Sequence, residues 1–340
     1  MLHLDKNKVD FLVTSSMVAE VERFIQDGQH HIENIVNQLV NKNITKIYFV
    51  GCGSSKAVGT AAKYLLNKYS TIGVDVYTGW NFVDHTPKAL DATSAVVVIS
   101  HSGTTEEVVK SLHIANEQGA TTISVVNKPE GNPLTKEAEF VIAYQAEAMW
   151  ECHLLAVYLI ALHWIQKTQP SLEVEKILKD IPKLPNVLAH HIETFEEKAL
   201  EMTKAVSHWK GFYTVAADPL LSLAYKEGVI TNMEFMWGHG AVIESGEFRH
   251  GPLEIVEPGV PFVFLIGTDE SRHITERALQ FVKKYRGETL IFDYATLSQG
   301  LHPALAPLVM FVPLEWFSYY FSVVRDHNPD DRRYYGVVEY

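Results

Sequence analysis

Cysteine is nearly absent from this chain. Cys52 and Cys152 are the only two in 340 residues, too few for a disulfide framework and in keeping with a reducing compartment. Positive charge is also scarce, with 29 Lys and Arg against 41 Asp and Glu. A net charge of −12 supplies no cationic field to gather a nucleic-acid backbone. A small anionic ligand needs only local donors, so acidity does not count against one. The longest strongly apolar run, Leu154–Ile165, is too short to cross a bilayer and carries His163, so it reads as a buried helix. The opening Met1-Leu2-His3-Leu4-Asp5-Lys6-Asn7-Lys8 lacks a signal-peptide pattern. There is no His-Glu-x-x-His or Cys-x-x-Cys, and the pairs His30-His31 and His190-His191 lack ligand spacing, so no metal site is expected. No Gly-x-Ser-x-Gly elbow anchors a hydrolase triad. The expectation is a cytoplasmic protein that binds neither nucleic acid nor membrane.

What is present is an alternation of apolar strands with helical patterns over a length sufficient for two cores. Strands are expected at 46–50, 74–78, 95–100, 121–126 and 140–144, and again at 211–215, 261–266, 289–293 and 309–313. Between them, Val108, Val109, Leu112 and Ala115 follow helical spacing until Gly119 stops the run. A long helix is expected over about 147–167. The segment with Pro170, Pro182 and Pro185 is the best junction. The expected architecture is α/β, two tandem doubly wound sandwiches of flavodoxin type over 15–170 and 195–340, each a parallel sheet flanked by helices.

Two loops invite an anion. After the strand ending at Ile99 comes Ser100-His101-Ser102-Gly103-Thr104-Thr105-Glu106-Glu107. A strand that feeds a helix start through hydroxyls and glycine presents unpaired N–H groups and the positive end of the helix dipole to a phosphate. The plainer alternative is that these hydroxyls only cap the helix. The second loop is Gly51-Cys52-Gly53-Ser54-Ser55, also after a strand. The third glycine of a dinucleotide fingerprint would fall at Lys56, so that fingerprint is incomplete. In a doubly wound sheet, loops of neighbouring strands meet at one crevice. These two are expected to share a ligand, one holding phosphate and the other sugar hydroxyls.

The second half offers acid and base. Glu227, Thr231 and Glu234 are spaced i, i+4, i+7, one face of an α-helix, although a helix carboxylate such as Glu227 is by default solvated. Downstream, Glu244-Ser245-Gly246-Glu247-Phe248-Arg249-His250-Gly251-Pro252 fixes a histidine, able to change charge near neutral pH, in a Gly-Pro turn beside two carboxylates.

These motifs together resemble the sugar isomerase (SIS) family, over nearly the whole chain and as two tandem SIS domains. The strings 244–261 and Asp326–Gly336 are similar to those of its fructosamine deglycases. The resemblance implies that Ser100, Ser102 and Thr105 hold phosphate, with His101 where glucosamine-6-phosphate synthase has a glutamine, and that Ser54 and Ser55 contact the sugar or its phosphate. It implies Glu234 as the proton-shuttling carboxylate and His250 as the ring-opening histidine, reaching the site from a neighbouring subunit of a homodimer or larger homo-oligomer. Glu227 and Glu247 are further candidates. The synthase's helix lysine is replaced by Thr231, and its Schiff-base lysine near the C-terminus has no counterpart, which puts amination in doubt and is compatible with deglycation. The implied activity is cofactor-independent hydrolysis of a 6-phosphofructosamine, such as fructoselysine 6-phosphate, to glucose 6-phosphate and a free amine. An aldose–ketose isomerase and a non-catalytic sugar-phosphate sensor remain open.

Overall fold

The computed structural model describes residues 1–339. Two compact units partition the chain, one from Ser16–Pro185 and the other combining Met1–Ser15 with the chain from Asn186 onward.

The first unit carries strands β1 (Lys46–Gly51), β2 (Gly73–Tyr77), β3 (Ser94–Ile99), β4 (Thr121–Val126) and β5 (Phe140–Ala143). They form one all-parallel sheet in the order β2-β1-β3-β4-β5. β3 and β4 are buried at every position, as expected when helices cover both faces of a parallel sheet. That burial explains why their sequences read as unbroken β-branched runs. On one face, Tyr48, Val96 and Val98 pack with Val108, Leu112 and Phe82. The helix Met149–Thr168 is buried from Trp150 through Ile165 and packs on the helices Ser54–Tyr69 and Gln29–Asn41. Its apolar girdle has no polar face because it is covered all round.

In the second unit, β6 (Gly211–Ala216), β7 (His239–Glu244), β8 (Pro261–Ile266) and β9 (Glu288–Asp293) form a parallel sheet in the order β7-β6-β8-β9. It repeats the first sheet's order without a fifth strand. Phe262, Phe264 and Ile266 pack with Phe248, Leu279 and Val282, while the Phe212 ring packs at a tilt against Phe317 and edge-on against Phe321. Residues 1–15 are tied to this unit: the Asp330 carboxylate accepts the Asp10 and Phe11 N–H groups at 2.9 and 2.8 Å, and the Phe11 ring lies 5.1 Å from that of Phe235.

Two departures from the sequence expectation stand out. β7 was not anticipated, because it is a half-exposed edge strand opening on His239-Gly240, with only Ile243 fully buried. The strand expected over 309–313 is instead helical, split between Ala306–Val309 and Phe311–Val323. A helix buried on all sides loses its polar stripe, and a five-residue apolar window then looks like a strand. The stretch Pro303–Val323 is long and apolar enough to cross a membrane, but 94% of its apolar window is buried inside the fold, which marks it as a core helix.

Candidate active site

β1 and β3 are adjacent and in register, Gly51 beside Ile99. The strand order reverses between them, β2 lying outside β1 and β4 outside β3. This is the switch point at which doubly wound sheets open a crevice, and the two hydroxyl-rich loops leave the sheet side by side there. Ser100 is buried; its Oγ lies 2.9 Å from Thr105 Oγ1 and 3.5 Å from Ser102 Oγ, and accepts the Gly103 N–H at 3.2 Å. Ser102 Oγ in turn accepts the Thr104 N–H at 3.2 Å. Thr105 begins the helix Glu106–Glu117 without a side-chain cap bond, so capping does not account for these hydroxyls. They converge on one another. Gly103 has φ +68°, and a Cβ there would sit 2.2 Å from Asn132 Oδ1, so only glycine closes this loop.

In the neighbouring loop, Ser54 and buried Ser55 open the helix Ser54–Tyr69, and a Cβ on Gly51 would meet Ser55 at 2.9 Å. Cys52 stitches the two loops, its Sγ donating to Glu107 Oε1 at 3.2 Å. Burial, reinforced by that carboxylate, pushes the thiol up to about 11, so it stays protonated and serves as a strut rather than a nucleophile. His101 turns inward: Nδ1 lies 2.6 Å from the Tyr144 hydroxyl and Nε2 3.4 Å from Asn127 Nδ2. Tyr144 packs edge-on against His153 at 4.7 Å. Burial lowers the pKa of His101 and holds that of His153 down at about 3, so both imidazoles are neutral at physiological pH.

In the second unit, Lys226–Phe235 is wound as a π-helix, closed by the Met236 N–H on the Thr231 carbonyl at 3.1 Å. An i→i+5 ladder takes more residues per turn than the roughly 3.6 of an α-helix. The spacing that puts Glu227 and Glu234 on one α-helical face therefore separates them here. Glu227 is buried: Oε1 lies 2.7 Å from Lys226 Nζ, and Oε2 accepts the Ser318 hydroxyl at 3.3 Å. Lys226 Nζ also sits 4.3 Å over the Phe311 ring. Glu315 lies in the same buried group, and burial pushes it up to about 8 against the opposing pull of Lys226. The default of a solvated Glu227 is thus overturned: its environment is an interior ionic cluster.

Glu234 faces outward. It is one-third exposed and lines a cavity of about 410 Å³ with Met233, Trp237, His239 and the segment Arg332–Tyr335. Arg332 Nε donates to its Oε1 at 3.2 Å. The guanidinium is anchored by Nη1 on the Pro329 carbonyl at 2.7 Å and by the Phe235 ring, 3.9 Å away. Sequence reasoning missed Arg332 because the pair is 98 residues apart. The one visible signal was a basic pair, Arg332-Arg333, in an acidic chain.

His250 lies on the turn after β7. Buried Phe248 and Ser245 pin that turn, the latter through Ser245 Oγ to Thr275 Oγ1 at 2.8 Å, while Gly251 takes φ +127°. Glu247 and His250 are exposed. The His250 side chain has no hydrogen bond among the described residues and is not part of the Glu234 cavity.

A SIS-domain profile matches residues 38–162. The chain is 51% identical to the fructoselysine 6-phosphate deglycase of Escherichia coli O157:H7, covering all of both chains. It is 32% identical to the fructosamine deglycase FrlB of Bacillus subtilis strain 168, over 96% of this chain and 99% of that one. The C-terminal domain of a glucosamine-fructose-6-phosphate aminotransferase from Francisella tularensis superposes with a TM-score of 0.86 at 20% identity, covering 96% and 100% of the two chains; this likeness speaks to the fold. The chain belongs to the SIS-domain family, and within it to the fructosamine deglycases.

Proposed function

We infer that the protein is a fructosamine-6-phosphate deglycase, converting an amine-substituted fructose 6-phosphate and water to glucose 6-phosphate and the free amine. The observation that carries this is half-identity along the whole length to a deglycase of fructoselysine 6-phosphate. The substrate is a sugar phosphate. The finer reading gives the ester to the Ser100, Ser102 and Thr105 hydroxyls, whose convergence beside a helix start suits a phosphate. Ser54 and Ser55 take sugar hydroxyls or phosphate oxygens, and His101, with its ring turned inward, shapes the wall behind.

His250 moves a proton between the anomeric hydroxyl and the ring oxygen, which opens the ring. Glu234 then removes a proton from C1, and the C2 carbonyl becomes the hydroxyl of an enaminol. Reprotonation at C2 with loss of the N–H proton gives an imine at C1. Water adds to that carbon, and collapse expels the amine and leaves the aldehyde of glucose 6-phosphate. The nitrogen arrives with the substrate, so no lysine is required to form a Schiff base. Arg332 holds one oxygen of Glu234, which leaves the other for the proton. An exposed His250 outside the Glu234 cavity supports delivery to the site of a second copy, hence a homodimer or larger assembly, acting in the cytoplasm.

Mass spectrometry after incubation with 6-phosphofructosyl amino acids tests the reaction. Glucose 6-phosphate and free amino acid in equal amounts are expected. Interconversion of glucose and fructose 6-phosphates without amine release would assign an isomerase instead.

A further inference from the structure

Glu234 acts at C1, and the amine hangs on C1, so whatever surrounds Glu234 surrounds the amine as well. That cavity holds a second guanidinium besides Arg332. Arg333 is exposed, and its Cζ lies 4.1 Å from the centre of the Trp237 ring. Unlike Arg332, it has no carboxylate or carbonyl acceptor among the described residues. A guanidinium lying on an aromatic face keeps its in-plane N–H donors directed outward, in the fork that fits a carboxylate.

The platform is fixed. The His327 ring packs 3.9 Å from that of Trp237, and His327 Nε2 donates to the Phe235 carbonyl at 2.8 Å. Trp237 itself holds φ +49°, a left-handed conformation that a bulky residue rarely adopts and that concentrates at functional sites.

We propose that Arg333, braced on Trp237, receives the carboxylate of the amine-bearing part of the substrate and so selects glycated amino acids over glycated simple amines. This rests on the deglycase reading. The other anion available, the sugar's phosphate ester, is common to both kinds of substrate, which allows the two to be separated.

The experiment compares kcat/KM for two matched pairs. One pair is 6-phosphofructose linked to the ε-nitrogen of lysine or to 1,5-diaminopentane; the other is 6-phosphofructose linked to the α-nitrogen of valine or to isobutylamine. In at least one pair, wild type should prefer the carboxylate-bearing member about ten- to hundredfold, the effect of a charge-assisted hydrogen bond. Arg333→Ala should bring that ratio close to one by losing activity on the carboxylate member, and Arg333→Lys should restore part of it. No preference in either pair, or an equal loss on both members in Arg333→Ala, overturns the assignment. If wild type cleaves none of the four compounds, the deglycase reading itself fails and takes this inference with it.

Discussion

Glu234 and Arg332 make a division of labour at the level of single side chains. In the proposed reaction the carboxylate takes the proton, and a guanidinium braced by the Pro329 carbonyl and Phe235 holds its position. Replacing Glu234 by Gln keeps the shape and removes the base. Steady-state kinetics should show kcat down by about 10²–10⁴-fold, with equilibrium binding of fructose 6-phosphate retained. Arg332→Gln should behave differently: kcat falls about ten- to hundredfold through misplacement of the carboxylate, KM changes little, and Arg332→Lys recovers part of the rate. An equal rise in KM alone would show that Arg332 binds substrate instead of placing the base. At this scale the sequence was readable wherever the partners were neighbours in the chain. Ser100, Ser102 and Thr105 are within five residues and do meet. Arg332 and Glu234 meet only because the fold returns the chain, and nothing local marks that meeting.

Elements show where periodicity succeeds and where it misleads. Strands covered on both faces, such as β3 and β4, announce themselves, whereas the edge strand β7 and the helix Phe311–Val323 do not. The π-wound segment is the sharper case, since spacing in an α-helix predicts a shared face for Glu227 and Glu234 that the wider winding abolishes. The same segment helps to build the buried group of Lys226, Glu227 and Glu315, which has a pH consequence. Glu315 is held near 8 in the fold, above its unfolded value, so the folded state binds the extra proton. The stabilising contribution is full below about pH 4.5 and is lost as pH rises toward 8. Urea unfolding of Glu315→Gln, which stays neutral, should therefore show a flatter decline in midpoint between pH 5 and pH 8 than wild type. In the phosphate-type loop, Gly103→Ala places a methyl group against Asn132 in a left-handed backbone. It should cost about 1–3 kcal/mol of unfolding free energy and raise KM.

For the molecule as a whole, the separation of His250 from the Glu234 cavity makes a quantitative forecast. Glu234→Gln and His250→Ala should each be inactive alone. If the histidine crosses between copies of a dimer, random mixing of the two variants with subunit exchange should restore about a quarter of wild-type activity, because half the dimers pair unlike chains and each has one intact site. No recovery after verified exchange would place both residues in the same copy.

The attachment of residues 1–15 to the four-stranded unit bears on the order in which the protein is made. That segment is synthesised before both Phe235 and Asp330, which receive it. The five-stranded unit can close on itself during synthesis, while residues 1–15 wait with Phe11 uncovered until Phe235 and then Asp330 have emerged. Its docking beside Phe235, the chain neighbour of Glu234, is then a late step in completing the four-stranded unit.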